Sequence, residues 1–437
     1  MSVVEKIGET PKSRTPGFLR AGIIAAIVAM TTPAAAQTAD ELRREIEALR
    51  AEQARINELA RELDRKLQAL EARAAASTET ATSANAPAAA RLASRQPQSS
   101  EPSRLEISGD LRLRTQGDYA DDARDRESAQ VRGRLGAKYR VNETIKIGAR
   151  LVTGDPDDPN STDVQLSNFD DDLQFTLDQA YVQFDFGNLS LYGGKIPQPF
   201  TRTDLVWDGD VNPQGVSAVY RRPLEGGSAF RVNGLFFLVD EDAVAADSTM
   251  TGMQLGYDFL AGDAFKFDLS FGYYDYRLGS VVGGDAGDFR SNLRNPDGSY
   301  QSDFDLGDAI VGATWTGLGE RWPLRAVADY VHNFGAINDE DTGFGMDLSI
   351  GRASQAGDWR VTYGYSVAET EAVLAAFSHD NIALATNYRL HALTFDYVPM
   401  PKTLLSAIWY HYKPDERLGA VDPDWIERLR VAFAVSF

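Results

Sequence analysis

The sequence has no cysteine, four histidines and six methionines in 437 residues. Without cysteine there is no disulfide framework and no thiolate metal site. The histidines (His332, His379, His391, His411) are scattered and match no metal-ligand spacing, so neither metal nor cofactor is expected. There is no nucleophile elbow, no phosphate-binding glycine loop and no H-E-x-x-H, and no Ser/His or Asp/His constellation can be assembled. No catalytic residue is therefore assigned, and the chain is not read as an enzyme. Also missing is an apolar run of the ~20 residues that a membrane-spanning helix needs. Basic charge is short: the formal net charge is −20. Residues 1–103 carry 14 Lys+Arg against 13 Asp+Glu, whereas residues 104–437 carry 30 against 51. The acidity belongs to the second part, which argues against nucleic acid as a partner.

What is present falls into four segments. Residues 1–36 have a basic leader (Lys6, Lys12, Arg14, Arg20), a short apolar core at Ala21–Met30, and an Ala34-Ala35-Ala36 cleavage site. That order of features predicts a secretory signal peptide. Residues 40–73 carry a heptad, with Leu42, Leu49, Ile56, Leu63 and Leu70 at one core position and Ile46, Gln53, Ala60 and Leu67 at the other. Seven-residue spacing of this kind specifies a left-handed coiled coil and self-association, with dimer and trimer both compatible. Residues 74–103, rich in Ala, Ser, Thr and Pro, read as a flexible linker.

From Arg104 the period changes to two. Leu105, Ile107, Leu111 and Leu113 alternate with Glu106, Asp110, Arg112 and Arg114; Phe265, Phe267, Leu269, Phe271 and Tyr273 alternate with Lys266, Asp268, Ser270 and Gly272. Strands with one greasy and one wet face must show this alternation. Short turns alternate with long acidic loops, aromatics gather near strand ends (Tyr273, Tyr274 and Tyr276; Trp409, Tyr410 and Tyr412) and are read as aromatic girdles, and the last strand closes on Phe437. Together these predict an all-β fold: a sixteen-stranded antiparallel transmembrane β-barrel over residues 104–437 in outer-membrane lipid. Fourteen or eighteen strands also fit, because residues 281–302 and the segment after Glu369 are poorly patterned. An even count puts both barrel ends, and with them the coiled coil, in the periplasm. Phe437 is read as the signal to the barrel-assembly machinery.

One stretch breaks the alternation. Gly193–Gly215 (GGKIPQPFTRTDLVWDGDVNPQG) has three prolines and three aspartates around a tryptophan. It lies after the fifth strand and is read as a loop that folds inward and narrows a pore. Its GKIPQPFTRTDLVWDGDVNPQG and the later EAVLAAFSHDN at Glu371–Asn381 resemble the putative porin family of Gram-negative bacteria over most of residues 104–437. A coil followed by a barrel is also similar in layout to the phosphate-selective porin O/P family. The resemblance implies an outer-membrane diffusion channel for small hydrophilic solutes, assembled as a homotrimer.

On that reading Lys195, Arg202, Asp204, Trp207, Asp208 and Asp210 are the constriction residues. Arg112, Arg114, Arg132, Arg134, Arg140 and Arg150, with Arg428 and Arg430 from the last strand, form a basic sector of the pore wall. Two other readings stand beside it. One is an anion- or phosphate-selective channel; the other is a structural tether whose coil reaches toward peptidoglycan.

Overall fold

The structure, a computed structural model, describes residues 104–120, 124–156, 158–166, 173–243, 246–279, 291–415 and 424–437. The signal segment, the heptad and the linker lie outside the described residues. Sixteen long strands follow one another: β1 (Leu105–Tyr119), β2 (Arg126–Arg140), β3 (Ile145–Thr153), β4 (Phe175–Phe186), β5 (Leu189–Lys195), β6 (Gln214–Pro223), β7 (Ala229–Asp240) and β8 (Ser248–Ala261). Then come β9 (Phe265–Arg277), β10 (Asp305–Trp315), β11 (Leu324–Asn333), β12 (Thr342–Gly351), β13 (Trp359–Ala368), β14 (Tyr388–Tyr397), β15 (Thr403–Pro414) and β16 (Ile426–Ser436).

Each strand pairs antiparallel with the next, and β1 pairs with β16 from Asp110↔Ser436 to Tyr119↔Glu427. The sheet is a closed ring. Closure removes the unpaired edges that hydrocarbon would not tolerate. The barrel expected from the alternation is present, with sixteen strands. A further two-residue strand, Val164–Gln165, adds to β2 opposite Val131 and Gln130.

The two poorly patterned stretches contribute no barrel strand among the described residues. Between β9 and β10 there is only an isolated bridge, Arg294↔Tyr300. After β13 the chain stays irregular until Asn387, whose φ of 53° breaks extended backbone just before β14. The last strand but two therefore starts at Tyr388, later than the sequence pattern places it.

Connections at one end are short, such as 187–188 and 262–264. The four longest, 154–174, 196–213, 278–304 and 369–387, all lie at the other end. These are the second, third, fifth and seventh long loops. Outward faces carry the exposed apolar side chains, among them Leu111, Leu135, Phe184, Phe271, Tyr273, Leu348 and Phe395.

One expectation needs correcting. Tyr274 and Tyr276, like Tyr410 and Tyr412, do not belong to an outer aromatic girdle. They are buried inside the barrel, and only Tyr273 and Trp409 of those clusters face outward. The period of two explains it, since adjacent residues of one strand cannot share a face. The buried core of this protein accordingly lies within the barrel, where long loops meet the wall.

Candidate functional site: the loop-filled lumen

The third loop leaves the wall through two glycines. Gly194 has φ +119° and Gly215 has φ +147°. A Cβ on the first would sit 2.3 Å from the carbonyl oxygen of Ala180, and on the second 2.1 Å from that of Phe236. Only glycine lets the stem pass so close to its neighbours. The amide of Ile196 donates to the carbonyl of Pro213 (2.7 Å) and closes the stem, while Pro197 and Pro199 end strand pairing.

From there the wall holds the loop through side chains. The Asn233 amide on β7 donates to the carbonyl of Pro199 (2.9 Å), and Gln254 on β8 exchanges two hydrogen bonds with the Thr201 backbone (2.8 and 2.7 Å). The Thr203 hydroxyl donates to the carboxylate of Asp329 on β11. Further along, Asp210 pairs with Arg134 on β2 (3.4 Å) and accepts from the Thr162 hydroxyl of the second loop (2.8 Å). In a ring of sixteen, β2 and β11 are seven strands apart by the shorter way, one less than the diameter. A loop attached to both must cross the lumen.

The expected constriction residues take different places along this crossing. Trp207 has no accessible surface. It stacks on Phe377 of the seventh loop (5.8 Å, 17°) and meets Tyr274 edge-on (5.7 Å). Asp208 is also buried; its Oδ1 accepts from the amide of Asp210 (2.7 Å), and its own amide donates to the carbonyl of Phe377 (2.8 Å). Burial first, and then the charges of Asp380 and Asp204, push the Asp208 carboxyl up to about 8. The Asp204 side chain is 55% exposed, 3.5 Å from Arg202, whose guanidinium also donates to the Trp207 carbonyl (3.2 Å). Lys195 donates to the carbonyl of Asn212 (3.1 Å) at the loop's base.

The basic sector is a ladder of ion pairs. Arg112 and Arg114 share Asp163 of the second loop, and Arg132 and Arg134 share Asp110 (2.8 and 2.7 Å). Arg150 pairs with Asp178, and Arg428 with Asp118. Arg430 donates to the neutral Gln116 (2.7 Å), and Arg140 is exposed at the short-turn end. Phe437 is 60% exposed, its amide bonded to the carbonyl of Gly109 (3.0 Å).

Three kinds of partner escaped the sequence reading. Asp163 lies in a loop with no strand pattern to aim it. Asp308 and Asp329 look like ordinary lumenal carboxylates, yet both are buried, with Asp308 also accepting from the Tyr274 hydroxyl (3.1 Å). Asn292 and Glu371 bind the fifth and seventh loops together. Beside the third loop, at the long-loop mouth, lies a cavity of 680 Å³. Asp178, Asp210, Lys195 and Asn212 are among its polar lining, and Phe237, Val239, Leu374 and Phe377 among its apolar lining. Among the described residues no group of three or more acidic or histidine side chains is placed to hold a metal ion.

Comparison with known proteins matches this architecture. Residues 99–287 fit the model of the family described as "Putative porin". OprB of Pseudomonas putida superposes with a TM-score of 0.52 at 12% identity, over 76% of this chain and 94% of that one. OmpF of Salmonella typhi gives 0.48 at 11% identity (76% and 97%), and an anion-selective porin from Comamonas acidovorans 0.47 at 12% (76% and 99%). At such identities the first likeness shows a shared fold, and the other two carry no argument. No curated protein sequence matches the chain. A closed sixteen-stranded ring, long loops gathered at one mouth and the match of residues 99–287 to the putative porin family agree with one another: the barrel is similar to the putative porins and has the architecture of an outer-membrane porin channel.

Proposed function

We propose that the channel passes small hydrophilic solutes and ions by diffusion, and that the third loop is its constriction. The observation that supports this is the loop's attachment to β2 through Asp210 and to β11 through Thr203, so that it bridges nearly the full bore. Asp204 and Asp210 stand on the loop, and the arginines of β1, β2 and β16 stand on the wall. Opposed charges in a narrow, low-dielectric passage create a transverse field that orients dipolar solutes and slows apolar ones. Because nearly every wall arginine has a carboxylate or amide partner, the preference between anions and cations is weak.

Planar-bilayer recording tests this. The wild-type protein should conduct steadily. Neutralising Arg112, Arg132 and Arg134 together leaves Asp110 and Asp163 with fewer counter-charges. The reversal potential should then shift toward cations by ~10–20 mV in a tenfold salt gradient, against the ~59 mV of perfect selectivity. A non-conducting barrel, or an unmoved reversal potential, would sink the proposal.

The homotrimer and the periplasmic coiled coil of residues 40–73 belong to the same proposal; a structural tether through that coil to peptidoglycan is the alternative role. Deleting residues 40–73 separates the roles. Loss of envelope integrity with unchanged conductance marks a tether, and loss of the oligomer marks a clamp.

A further inference from the structure

The seventh loop is the most continuously buried stretch among the described residues. Every residue from Thr370 to His379 is at most 8% exposed, and Glu371, Ala372, Val373, Ala375 and Ser378 show no surface at all. A connecting segment normally runs over the surface, so a loop this enclosed is packed between the wall and its neighbouring loops.

Its contacts trace a crossing of its own. At its start the carbonyl of Glu371 accepts from Asn333 at the end of β11 (2.8 Å). In the middle Phe377 packs on Trp207 of the third loop and on Phe237 of β7 (5.3 Å). At its far end the carbonyls of Asp380 and Asn381 accept from Arg430 (3.3 Å) and Arg428 (3.0 Å) of β16. There the Asn381 side chain reaches both walls of the passage. Its amide donates to Asp204 of the third loop (2.9 Å), and its oxygen accepts from Tyr410 (3.3 Å) and Arg430 (3.4 Å). One short side chain thus ties the acidic loop to the basic wall, with the Asp380 carboxylate beside it.

We propose that the seventh loop is the second jaw of the constriction, with Phe377 closing its apolar side and Asp380 and Asn381 setting its width and charge preference. This rests on the third-loop reading above and extends it. The narrowest section is then made by two loops, and selectivity is divided between Asp204 on one and Asp380 on the other. The apolar half, Ala372–Phe377, fills bore that a single loop would leave open, so solute must pass by the polar half.

The absence of native cysteine allows a direct test on the full-length protein. Asp380→Cys and Asp204→Cys are each reconstituted in planar bilayers and exposed to a negatively and a positively charged methanethiosulfonate reagent. Heat-modifiable gel mobility confirms that each barrel is folded. Labelled Asp380→Cys should lose about half its conductance, and the two reagents should move its reversal potential in opposite directions. Replacing residues 372–380 by a short Gly-Ser linker should raise conductance about twofold or more. Failure of Asp380→Cys to label, labelling without effect, or unchanged conductance of the linker variant each overturns the inference. A silent Asp204→Cys beside a responsive Asp380→Cys would instead defeat the third-loop reading and leave the seventh loop as the constriction.

Discussion

At the scale of single residues, the third loop depends on two glycines and one buried acid. Gly215→Ala would drive a Cβ into the Phe236 carbonyl at a φ no L-residue favours, at a cost of about 1–3 kcal/mol. Gly187 is the matched control, because it also has positive φ but nothing lies within 4 Å of its would-be Cβ. The heat-modification midpoint of Gly215→Ala should therefore fall well below that of Gly187→Ala; equal midpoints would contradict the close approach of the stem to β7. Asp208 makes the loop pH-dependent. Its carboxyl, ordinarily near 3.8, titrates at about 8 because it is buried and faces Asp380 and Asp204. The folded loop favours the protonated form, so its contribution is full below pH 3.8 and is lost as pH rises through 8. Current fluctuations should grow between pH 6 and 9 in the wild type and stay flat in Asp208→Asn, which keeps the Oδ1 acceptor without the charge.

At the scale of elements, the fifth and seventh loops form a clamp around one side chain. Asn292 donates to the carbonyls of Thr370 (2.9 Å) and Val373 (3.0 Å) and accepts from the amide of Ala375 (2.7 Å), while Glu371 accepts from the amide of Leu293 (2.7 Å). Removing a buried partner strands the groups it satisfied, at ~1–3 kcal/mol each. Asn292→Ala should open residues 370–387 to protease in the folded barrel while leaving its heat-modifiable mobility intact; unchanged resistance would show that apolar packing alone holds the loop. This clamp also marks what the sequence could and could not reveal. Strands were readable because Leu105, Ile107, Leu111 and Leu113 repeat at the period the sheet imposes, and the third loop because Gly, Pro and Asp interrupt that period. The seventh loop was visible as a motif, but EAVLAAF carries no spacing that says where its apolar side chains go. Trp207 shows the same limit. The charges nearest it in sequence are Asp204, Asp208 and Asp210, whereas its ring neighbours in space include Phe200, Tyr274 and Phe377, contributed by chain up to 170 residues away.

For the whole molecule, the outward surface bears on self-association. Ala137, Ala149 and Ala180 sit side by side in register across β2, β3 and β4. They make an outward-facing strip of small side chains at which a second barrel can approach closely. A second small-residue sector is Ala313 beside Ala326 on β10 and β11. It is the floor of a 440 Å³ groove bounded by Phe265, Trp315, Leu348, Ile350 and Tyr363. A groove of that size suits an acyl chain, whereas a strip of small side chains lets another barrel's wall come close for complementary packing. Self-association is therefore expected through β2–β4. A bulky ring at the centre of that strip holds two barrels apart, while the same ring in the groove displaces only lipid. Ala149→Trp should convert the detergent-solubilised oligomer to monomer, and Ala326→Trp should not, as read by native mass. Because each barrel has its own lumen and its own loops, the Ala149→Trp monomer should keep the unitary conductance of one channel. Loss of conductance in that monomer would mean that a neighbouring copy supports the loops, and the passage would then be a property of the assembly.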